Sequence, residues 1–558
     1  MLFADQRIEI DARPAPSPAP VLEVVMLGHC PGLPGDTTPG AGAQWQRVAG
    51  DAGLLAEIAS LGLGDETRRL QVLRALADPV TAAQVAELDA APRPGDDDLR
   101  ALYRLPLPIQ SLGQFRVLFP QAFDAPTRYE SALAGNRAWL PMAVQDFFEG
   151  STSITRDQLK LWVIRVPEAP EAAAGGSANP AVQAFLPQAG ADLTRPAGLG
   201  AFERALLPRR AAIVTLPDLE RLQIPSQLPD VPRLRLVNPV PAFLPCSTVN
   251  DDTHRERRTA DEIRAMPEPL PPGQVIAPIA RTLARLRPDM ACLLALPLDA
   301  DPQGERPVPS RACIDYLAGL TRRAADDPAG SAHSSASALR HVQFIYPYLR
   351  GPQCPLGSPS GLVAGLQALV AQRDGPWRSV GERALPGLAL PWPSLTQHEA
   401  TALRLDPGVT VLLRRNGQCV IDDERLAVPC LPDAALRGLT HAQRSADHWY
   451  SAEVMRFMGW LRRELQQLGE RLVFDADIAD PRPELALQAF FNRLYALGAL
   501  RGARPEQAFR IARRSEGDST LIFDIEIAPA YPLDLIRITF LQDRHAETVS
   551  TQLEALDG

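Results

Sequence analysis

The sequence is almost free of lysine, because Lys160 is the only one in 558 residues. No glycine directly precedes it, which excludes a phosphate-binding loop of the GxxxxGK[ST] type. Schiff-base chemistry would depend on this single side chain. Since it lies in the apolar run Leu159–Val166, packing in the core or at a strand edge explains it better.

Cysteine is also scarce. The seven cysteines include no CxxC pair, and their number is odd. These counts argue against a zinc ribbon, a thioredoxin-like motif and a disulfide scaffold. A reducing compartment fits them best.

Basic runs and long apolar runs are missing too. The net charge is −9, from 57 basic and 66 acidic residues, so we expect no direct binding of nucleic acid and no polybasic membrane face. The uncharged stretch Gly351–Gln372 carries three prolines in its first half, so we expect no membrane insertion. Asp5, Glu9 and Asp11 precede any apolar core, which is unlike a signal peptide.

Residue sets with catalytic or metal-binding spacing are weak. His398-Glu399 lacks the second histidine of an HExxH site, and Asp475-Ala-Asp477 lacks the glycine of a calcium loop. Ser358-Pro-Ser360 lacks the leading glycine of a nucleophile elbow. His441 and His448, seven residues apart, are better explained as surface or satisfied histidines. We expect no enzyme activity, metal or cofactor, although a triad assembled from distant residues stays open.

Proline and glycine, by contrast, are abundant: 93 of the 558 residues, against a typical share of roughly 12%. This share predicts a folded protein with many loops and extended connectors. Arg7–Asp11 alternates polar and apolar residues, and proline then occupies every second position from Pro14 to Pro20. Residues 1–20 are therefore predicted to form an arm, a short strand followed by an extended linker.

The middle of the chain predicts a mixed α/β fold. Residues 40–108 predict an alanine-rich helical insertion that contains the acidic run Asp96–Asp98, and residues 167–200 predict a mobile surface loop. Trp139–Phe148 predicts an amphipathic helix. Apolar runs predict buried strands at Val21–Leu27, Leu161–Val166, Ala211–Leu216, Ala291–Leu296 and His341–Tyr348.

The last quarter is the most regular. Residues 454–469 and 484–500 predict amphipathic helices, and Thr520–Ile527 and Leu535–Leu541 alternate like strands. Pro529 and Pro532 leave little room for a tight hairpin, so the second strand is expected to travel away from the first. The predicted units are an arm at 1–20, an outer and middle α/β region at 21–340, a C-terminal assembly domain at 341–528, and a C-terminal strand arm at 529–558.

Several segments, in a fixed order along the chain, resemble those of a known protein family. Ile345–Tyr348, Pro359–Gly365, Arg373–Trp377, Leu395–Glu399 and Ile527–Pro532 follow one another with specific spacing, and Gly28–Pro34, Ser111–Phe119 and Ala143–Phe148 agree more loosely. Together they resemble the contractile tail sheath family of phage tails, tailocins and related injection machines. The segment Cys419–Leu426 departs from it, keeping only Arg425 of a Trp-Gly-x-Arg-Thr-Leu pattern.

The resemblance implies a structural subunit that polymerises around an inner tube by strand exchange and drives tube ejection on contraction. Its arms would pair with a neighbour's sheet, with pairing inside one subunit as the alternative. The expected strand interface comprises Ile8, Ile10, Phe523, Ile525, Ile527, Ile536, Ile538 and Phe540, and the expected tube-facing residues are Arg456, Arg462 and Arg463.

The implied partners are further copies in a helical or ring lattice, the inner tube protein, and baseplate and terminator proteins. Such a particle would be assembled in the bacterial cytoplasm. A specialised, non-contracting sheath-like adaptor at the baseplate or terminator end is the alternative function. The sequence does not distinguish a phage from a tailocin or a cellular injection system.

Overall fold

A computed structural model describes most of the chain. The arm at 1–20, nearly all of the insertion at 40–108, His441, His448 and Asp475–Asp480 lie outside the described residues, so those predictions stay predictions. The described residues are 21–30, 61, 104–119, 122–124, 126–131, 133–151, 160–168, 179–193, 199–225, 264–265, 269–301, 307–326, 331–351, 356–428, 450–472, 481–516, 520–530, 535–543 and 548–556.

The strands of this part are β1 (Glu23–Gly28), β2 (Pro106–Ile109), β3 (Pro126–Ser131), β4 (Gly135–Arg137), β5 (Leu161–Arg165), β6 (Ala211–Thr215), β7 (Arg264–Ala265), β8 (Ala291–Ala295), β9 (Leu298–Ala300), β10 (Pro307–Pro309), β11 (Val342–Tyr346), β12 (Tyr348–Arg350), β13 (Leu390–Trp392), β14 (Thr410–Arg415), β15 (Gln418–Ile421), β16 (Phe509–Glu516), β17 (Thr520–Ile527), β18 (Leu535–Asp543) and β19 (Thr548–Leu556).

The α-helices are α1 (Leu112–Leu118), α2 (Leu140–Gly150), α3 (Pro180–Gln183), α4 (Ala201–Ala205), α5 (Pro217–Leu222), α6 (Pro272–Leu286), α7 (Arg311–Asp326), α8 (Ser331–Ala338), α9 (Ser360–Asp374), α10 (Gln397–Leu405), α11 (Ala452–Leu472), α12 (Arg482–Ala496) and α13 (Pro505–Ala508).

An eight-stranded sheet forms the centre, in the order β15-β14-β11-β8-β6-β1-β5-β2. Neighbours from β14 to β5 run parallel, and the edge strands β2 and β15 are antiparallel. Every residue of β1, β5 and β6 is buried, as expected for strands covered on both faces. The mixed α/β fold and all five predicted buried strands are confirmed.

The strand order reverses at β1, which lies between β5 and β6. In open α/β sheets the carboxyl ends of the strands on either side of such a reversal usually leave a ligand crevice. Here Asp218, directly after β6, accepts hydrogen bonds from the backbone N–H groups of His29, Trp139 and Leu140 at 2.8, 3.0 and 3.0 Å. The start of α2 is thereby fixed at this position.

A second core lies in the C-terminal part. α11 and α12 pack with a four-stranded antiparallel sheet, β16-β17-β18-β19, around aromatic side chains. The Trp460 ring stacks on Phe457 and Phe490 with centroids 6.4 and 6.2 Å apart, and Phe491 lies 5.5 Å from Phe509. The two helices predicted for this region are confirmed.

Two predictions about the outer region are wrong in part. Within 167–200, α3 is a helix, and Val182 and Phe185 are fully buried, because the Phe185 ring packs 5.0 Å from His29. The predicted insertion extends too far, since Pro106–Pro108 belong to the edge strand β2.

The predicted division at residue 340 also fails. β11 pairs with β8 from Val342↔Cys292 to Ile345↔Ala295, so one core spans this point. Most buried residues of the second core lie after residue 450.

Candidate assembly interface

The C-terminal sheet contains most of the predicted interface residues. β18 pairs antiparallel with β17 of the same chain, placing Ile536 opposite Ile527, Ile538 opposite Ile525, and Phe540 opposite Phe523. The expectation that the second strand travels away from the first is therefore wrong for the single chain. Strand exchange between chains stays a proposal.

The connection between these strands explains the difference. Seven residues, 528–534, separate β17 from β18 in the sequence, so no tight hairpin is required. Two backbone hydrogen bonds fix the start of this connection, from Ala528 N to Ala508 O at 2.8 Å and from Ala530 N to Ala499 O at 2.9 Å. Proline is compatible with such a longer loop, because Pro529 itself needs to donate no hydrogen bond.

One face of this sheet forms the subunit's own core. Phe523, Ile525, Ile527 and Ile538 are fully buried against α11 and α12. On the other face of β17 lie Asp524 and Glu526 beside the buried Ile522, and Arg514 of β16 bonds Asp524 at 2.7 Å. Side chains on the buried face cannot serve as a surface for a neighbour without opening the sheet. If these strands take part in assembly, they do so through their backbone edges or by exchange of a whole strand.

The sheet has two edges of this kind. Among the described residues, β16 pairs only with β17, and β19 pairs only with β18. Edge strands present unpaired N–H and C=O groups that accept a further strand. Ile8 and Ile10, the other predicted interface residues, lie outside the described part of the chain.

The three arginines predicted to face a tube are placed quite differently. The Arg456 guanidinium forms a buried, two-pronged ion pair with Glu424, with N–O distances of 2.7 and 3.0 Å, and also donates to Arg378 O at 2.8 Å. Arg463 is buried and pairs with Asp289 at 3.1 Å. Both therefore lie inside the chain's own core, which corrects their assignment as surface contacts.

Arg462 alone is half-buried rather than buried. Burial lowers its pKa, and the nearby Asp289 carboxylate partly opposes this effect. It remains the one candidate of the three with an accessible side chain.

Sequence reasoning missed the acidic partners of these arginines. Glu424 is fully buried and also accepts from Gln367 Nε2 at 2.8 Å. Burial opposes its ionisation, but the Arg456 charge and these hydrogen bonds hold the pKa of Glu424 below its usual value. Asp289, paired with Arg287 and Arg463, likewise has a lowered pKa despite its burial. The contacts of these acids with α11 have no sequence signal, because Arg456 lies 32 residues from Glu424 and Arg463 lies 174 residues from Asp289.

The residues tested earlier for catalytic chemistry have structural contacts. Ser358 and Ser360 hydrogen-bond each other through their Oγ atoms at 2.6 Å, and Glu399 completes a capping box with Thr396 at the start of α10. Lys160 lies at the start of β5, with its Nζ 4.0 Å from Glu23 Oε1. In the described ranges, no group of three His, Cys, Asp or Glu side chains is placed to hold a metal ion.

Burial favours the neutral form of several other titratable groups in the cores. Burial raises the thiol pKa of Cys313 and Cys419 to about 12 and lowers the pKa of His341 to about 4. Burial also raises the pKa of Glu220 to about 8.

None of the helices in the described part combines the length and apolar character that a membrane crossing requires.

Comparison with known proteins gives matches among solved structures. No family model and no curated protein matches the chain. The helical sheath of the anti-feeding prophage in its contracted state aligns at 14% identity and a TM-score of 0.43 over 77% of this chain and 86% of that one. The PVC sheath of an extracellular contractile injection system, also contracted, aligns at 11% and 0.41 over 76% and 83%. A sheath tail protein from Listeria innocua aligns at 10% and 0.40 over 82% and 92%.

The chain is similar to contractile tail sheath proteins. The segments that carried this resemblance in the sequence have packing roles here. Gly375 has φ of +101°, and a Cβ atom there would lie 2.3 Å from the Trp377 ring, which itself packs on Phe457 and Trp460 in the second core. Gly408, outside those segments, has φ of +89° and a Leu426 oxygen 2.4 Å from the position of a Cβ. Glycine at both positions therefore allows the close packing at the junction of the two cores.

Proposed function

We propose that this protein is the structural subunit of a contractile tail sheath, which polymerises around an inner tube by strand exchange between subunits and drives tube ejection on contraction. The partners in this proposal are further copies of the chain, the inner tube protein, and baseplate and terminator proteins. The motif resemblance supports the family, and the C-terminal sheet supports the mode of assembly.

The observation that carries the proposal is that, among the described residues, β16 and β19 each pair with a neighbouring strand on one side only. Long unpaired edges favour association with other strands, and soluble monomers usually cover or interrupt them. β19 is nine residues long and carries only one charged residue, Glu554, which leaves its edge weakly protected against pairing. An edge of this kind suits a protein whose function is to join copies of itself.

The energetics favour a lattice over a simple pair. A nine-residue strand added to one edge forms four or five hydrogen-bonded residue pairs, that is about nine backbone hydrogen bonds, each contributing roughly 0.5–1.5 kcal/mol net. Association costs an estimated 4–15 kcal/mol in lost freedom of motion. One added strand is therefore marginal, whereas several contacts on each subunit of a ring are sufficient.

A crosslinking experiment distinguishes exchange from pairing within one chain. Asp524 and Thr539 are directly opposite in the β17–β18 register. In the Asp524→Cys/Thr539→Cys double variant, a disulfide joins two chains if β18 is exchanged and stays inside one chain if it is not. In assembled particles we expect a ladder of linked chains on a non-reducing gel, and in unassembled protein a single band.

The two single variants are the controls, because each lacks one half of the bridge. In all crosslinking variants of this protein, Cys246, Cys354 and Cys430, which lie outside the described residues, are replaced by serine. The remaining native cysteines, Cys30, Cys292, Cys313 and Cys419, are buried, so the controls should give no ladder. Assembled particles whose double variant links only within each chain would contradict exchange at β18. Failure of the purified chain to form tubular particles with any tube partner would contradict the sheath function itself.

A further inference from the structure

A groove lies beyond the carboxyl end of β11. It has a volume of about 510 Å³, and two short antiparallel pairs contribute to it, β9 with β10 and β12 with β13. Its lining is rich in proline and aromatic side chains, among them Pro309, Tyr346, Pro391, Trp392 and Pro393.

Trp392 is the central element of this groove. It is half-buried, and the Arg350 guanidinium lies 4.1 Å from its ring centroid, a cation–π contact that holds the indole in place. The fully buried Tyr346 supports the groove from beneath, and Arg414 is exposed at its border. The half-buried Glu399 also belongs to the lining, so the result is an apolar surface with charges of both signs beside it.

We propose that this groove binds the proline-rich linker 13–20 of a second copy of the chain. Grooves lined by Trp, Tyr and Pro bind polyproline II segments, since proline fixes φ near −65° and little entropy is lost on docking. The linker carries proline at positions 14, 16, 18 and 20. The residues before and at its start carry charges of both signs, so Glu9 and Asp11 can pair with Arg350 and Arg414, and Arg7 and Arg13 can pair with Glu399 of the lining.

The reach of the linker indicates a second copy. β1 and β11 run in the same direction with β6 and β8 between them, so the linker leaves β1 at the amino edge while the groove lies at the carboxyl edge. Crossing three strand spacings and the length of β1 takes about 24 Å in a straight line. Eight residues in polyproline II span about 25 Å, which leaves nothing to lie in the groove.

Mixed-variant crosslinking tests this proposal. Ser17 lies between two prolines of the linker, and Ser394 is exposed in the groove lining. When full-length Ser17→Cys and Ser394→Cys chains are mixed under mild oxidation, we expect a linked dimer that neither variant forms alone. Replacing Ser394→Cys by Ala489→Cys, an exposed position on α12, is the matched control and should reduce the dimer at least ten-fold.

Further variants test the separate contributions of Trp392, the linker prolines and Arg414 to this dimer. Trp392→Ala and, independently, replacement of Pro16 and Pro18 by serine should each reduce the dimer at least ten-fold, with circular dichroism confirming the fold. If Trp392→Ala proves unfolded, Arg414→Glu takes its place, because it changes only an exposed side chain. This variant should reduce the amount of dimer several-fold. An undiminished dimer in the proline variant, or a crosslink inside a single Ser17→Cys/Ser394→Cys chain, would overturn the proposal.

This inference extends the proposed self-assembly, but the mixture needs no tube and no polymer. A dimer without particles would therefore leave the groove intact and count against the sheath function. Particles that form although the crosslinked dimer does not would count against the groove and leave the sheath function intact.

Discussion

At the scale of single residues, the buried acid–base pairs determine how the two cores are joined. Arg456 on α11 belongs to the second core, whereas Glu424 follows β15 of the central sheet. Both side chains are almost free of solvent, so each charge depends on the other for its stability. The pair is therefore a contact that fixes the position of α11.

Removing one partner should be more harmful than removing both. Arg456→Met leaves the Glu424 carboxylate buried and unpaired, which should cost about 3–5 kcal/mol of stability at pH 7. Arg456→Met/Glu424→Gln should recover most of that loss, because the neutral glutamine needs no buried counter-charge and its one oxygen can still accept from Val380 N. Calorimetric melting of the wild type and both variants measures this, and a double variant no more stable than the single one would contradict it.

The pH dependence of this pair follows from the lowered pKa of Glu424. An acid whose pKa is lower in the folded state contributes stability above its unfolded value of 4.5, and that contribution is lost as pH falls through the folded value. Wild-type protein should therefore lose melting temperature below about pH 4.5 more steeply than the double variant.

At the scale of helices, α2 and α9 approach unusually closely. A Cβ atom on Gly361 would lie 2.4 Å from Ala143 O, and one on Gly365 would lie 2.3 Å from Phe147 O. Both obstacles are backbone atoms, which cannot rotate away. The two glycines on α9 thus explain why the Pro359–Gly365 segment has a recognisable pattern.

Gly365→Ala should separate these helices and destabilise the chain by about 1–3 kcal/mol. Gly113→Ala in α1 is the matched control, because only Ser111 Oγ lies near, at 3.8 Å. There, alanine's helix preference should stabilise by about 0.5–1 kcal/mol. Chemical denaturation gives both values, and equal effects at the two positions would refute the close-approach explanation.

The helices and strands also show how much of the fold the sequence predicts. The buried strands and amphipathic helices were predictable, since each depends on local periodicity in runs such as Ala211–Leu216. The pairing of β18 with β17 was not, because it depends on a loop anchored by Ala499 and Ala508. The burial of Arg456 and Arg463 was not either, since a polar stripe on a helix does not show that acids elsewhere in the chain face it.

At the scale of the whole molecule, Arg462 is the accessible one of the three arginines predicted to contact a tube. Arg462→Glu should leave sheath formation intact and reduce the tube content of purified particles several-fold, since the change concerns a half-buried side chain. Arg209→Glu, at a side chain 82% exposed, is the control and should have no effect. Gel densitometry measures the tube content. If Arg462→Glu particles contain as much tube protein as wild-type particles, this placement is wrong.

The two ion pairs on α11 have a mechanical consequence. Arg456 and Arg463 are seven residues apart, two helical turns, and each connects α11 to a different part of the central region, near β15 and before β8. A force applied by a neighbour to β19, which lies against α11, would therefore be shared between two buried attachments that resist sliding of the helix together. The weak points under tension would be the connecting segments outside the two cores, so the cores would travel intact while the links between subunits stretch and turn.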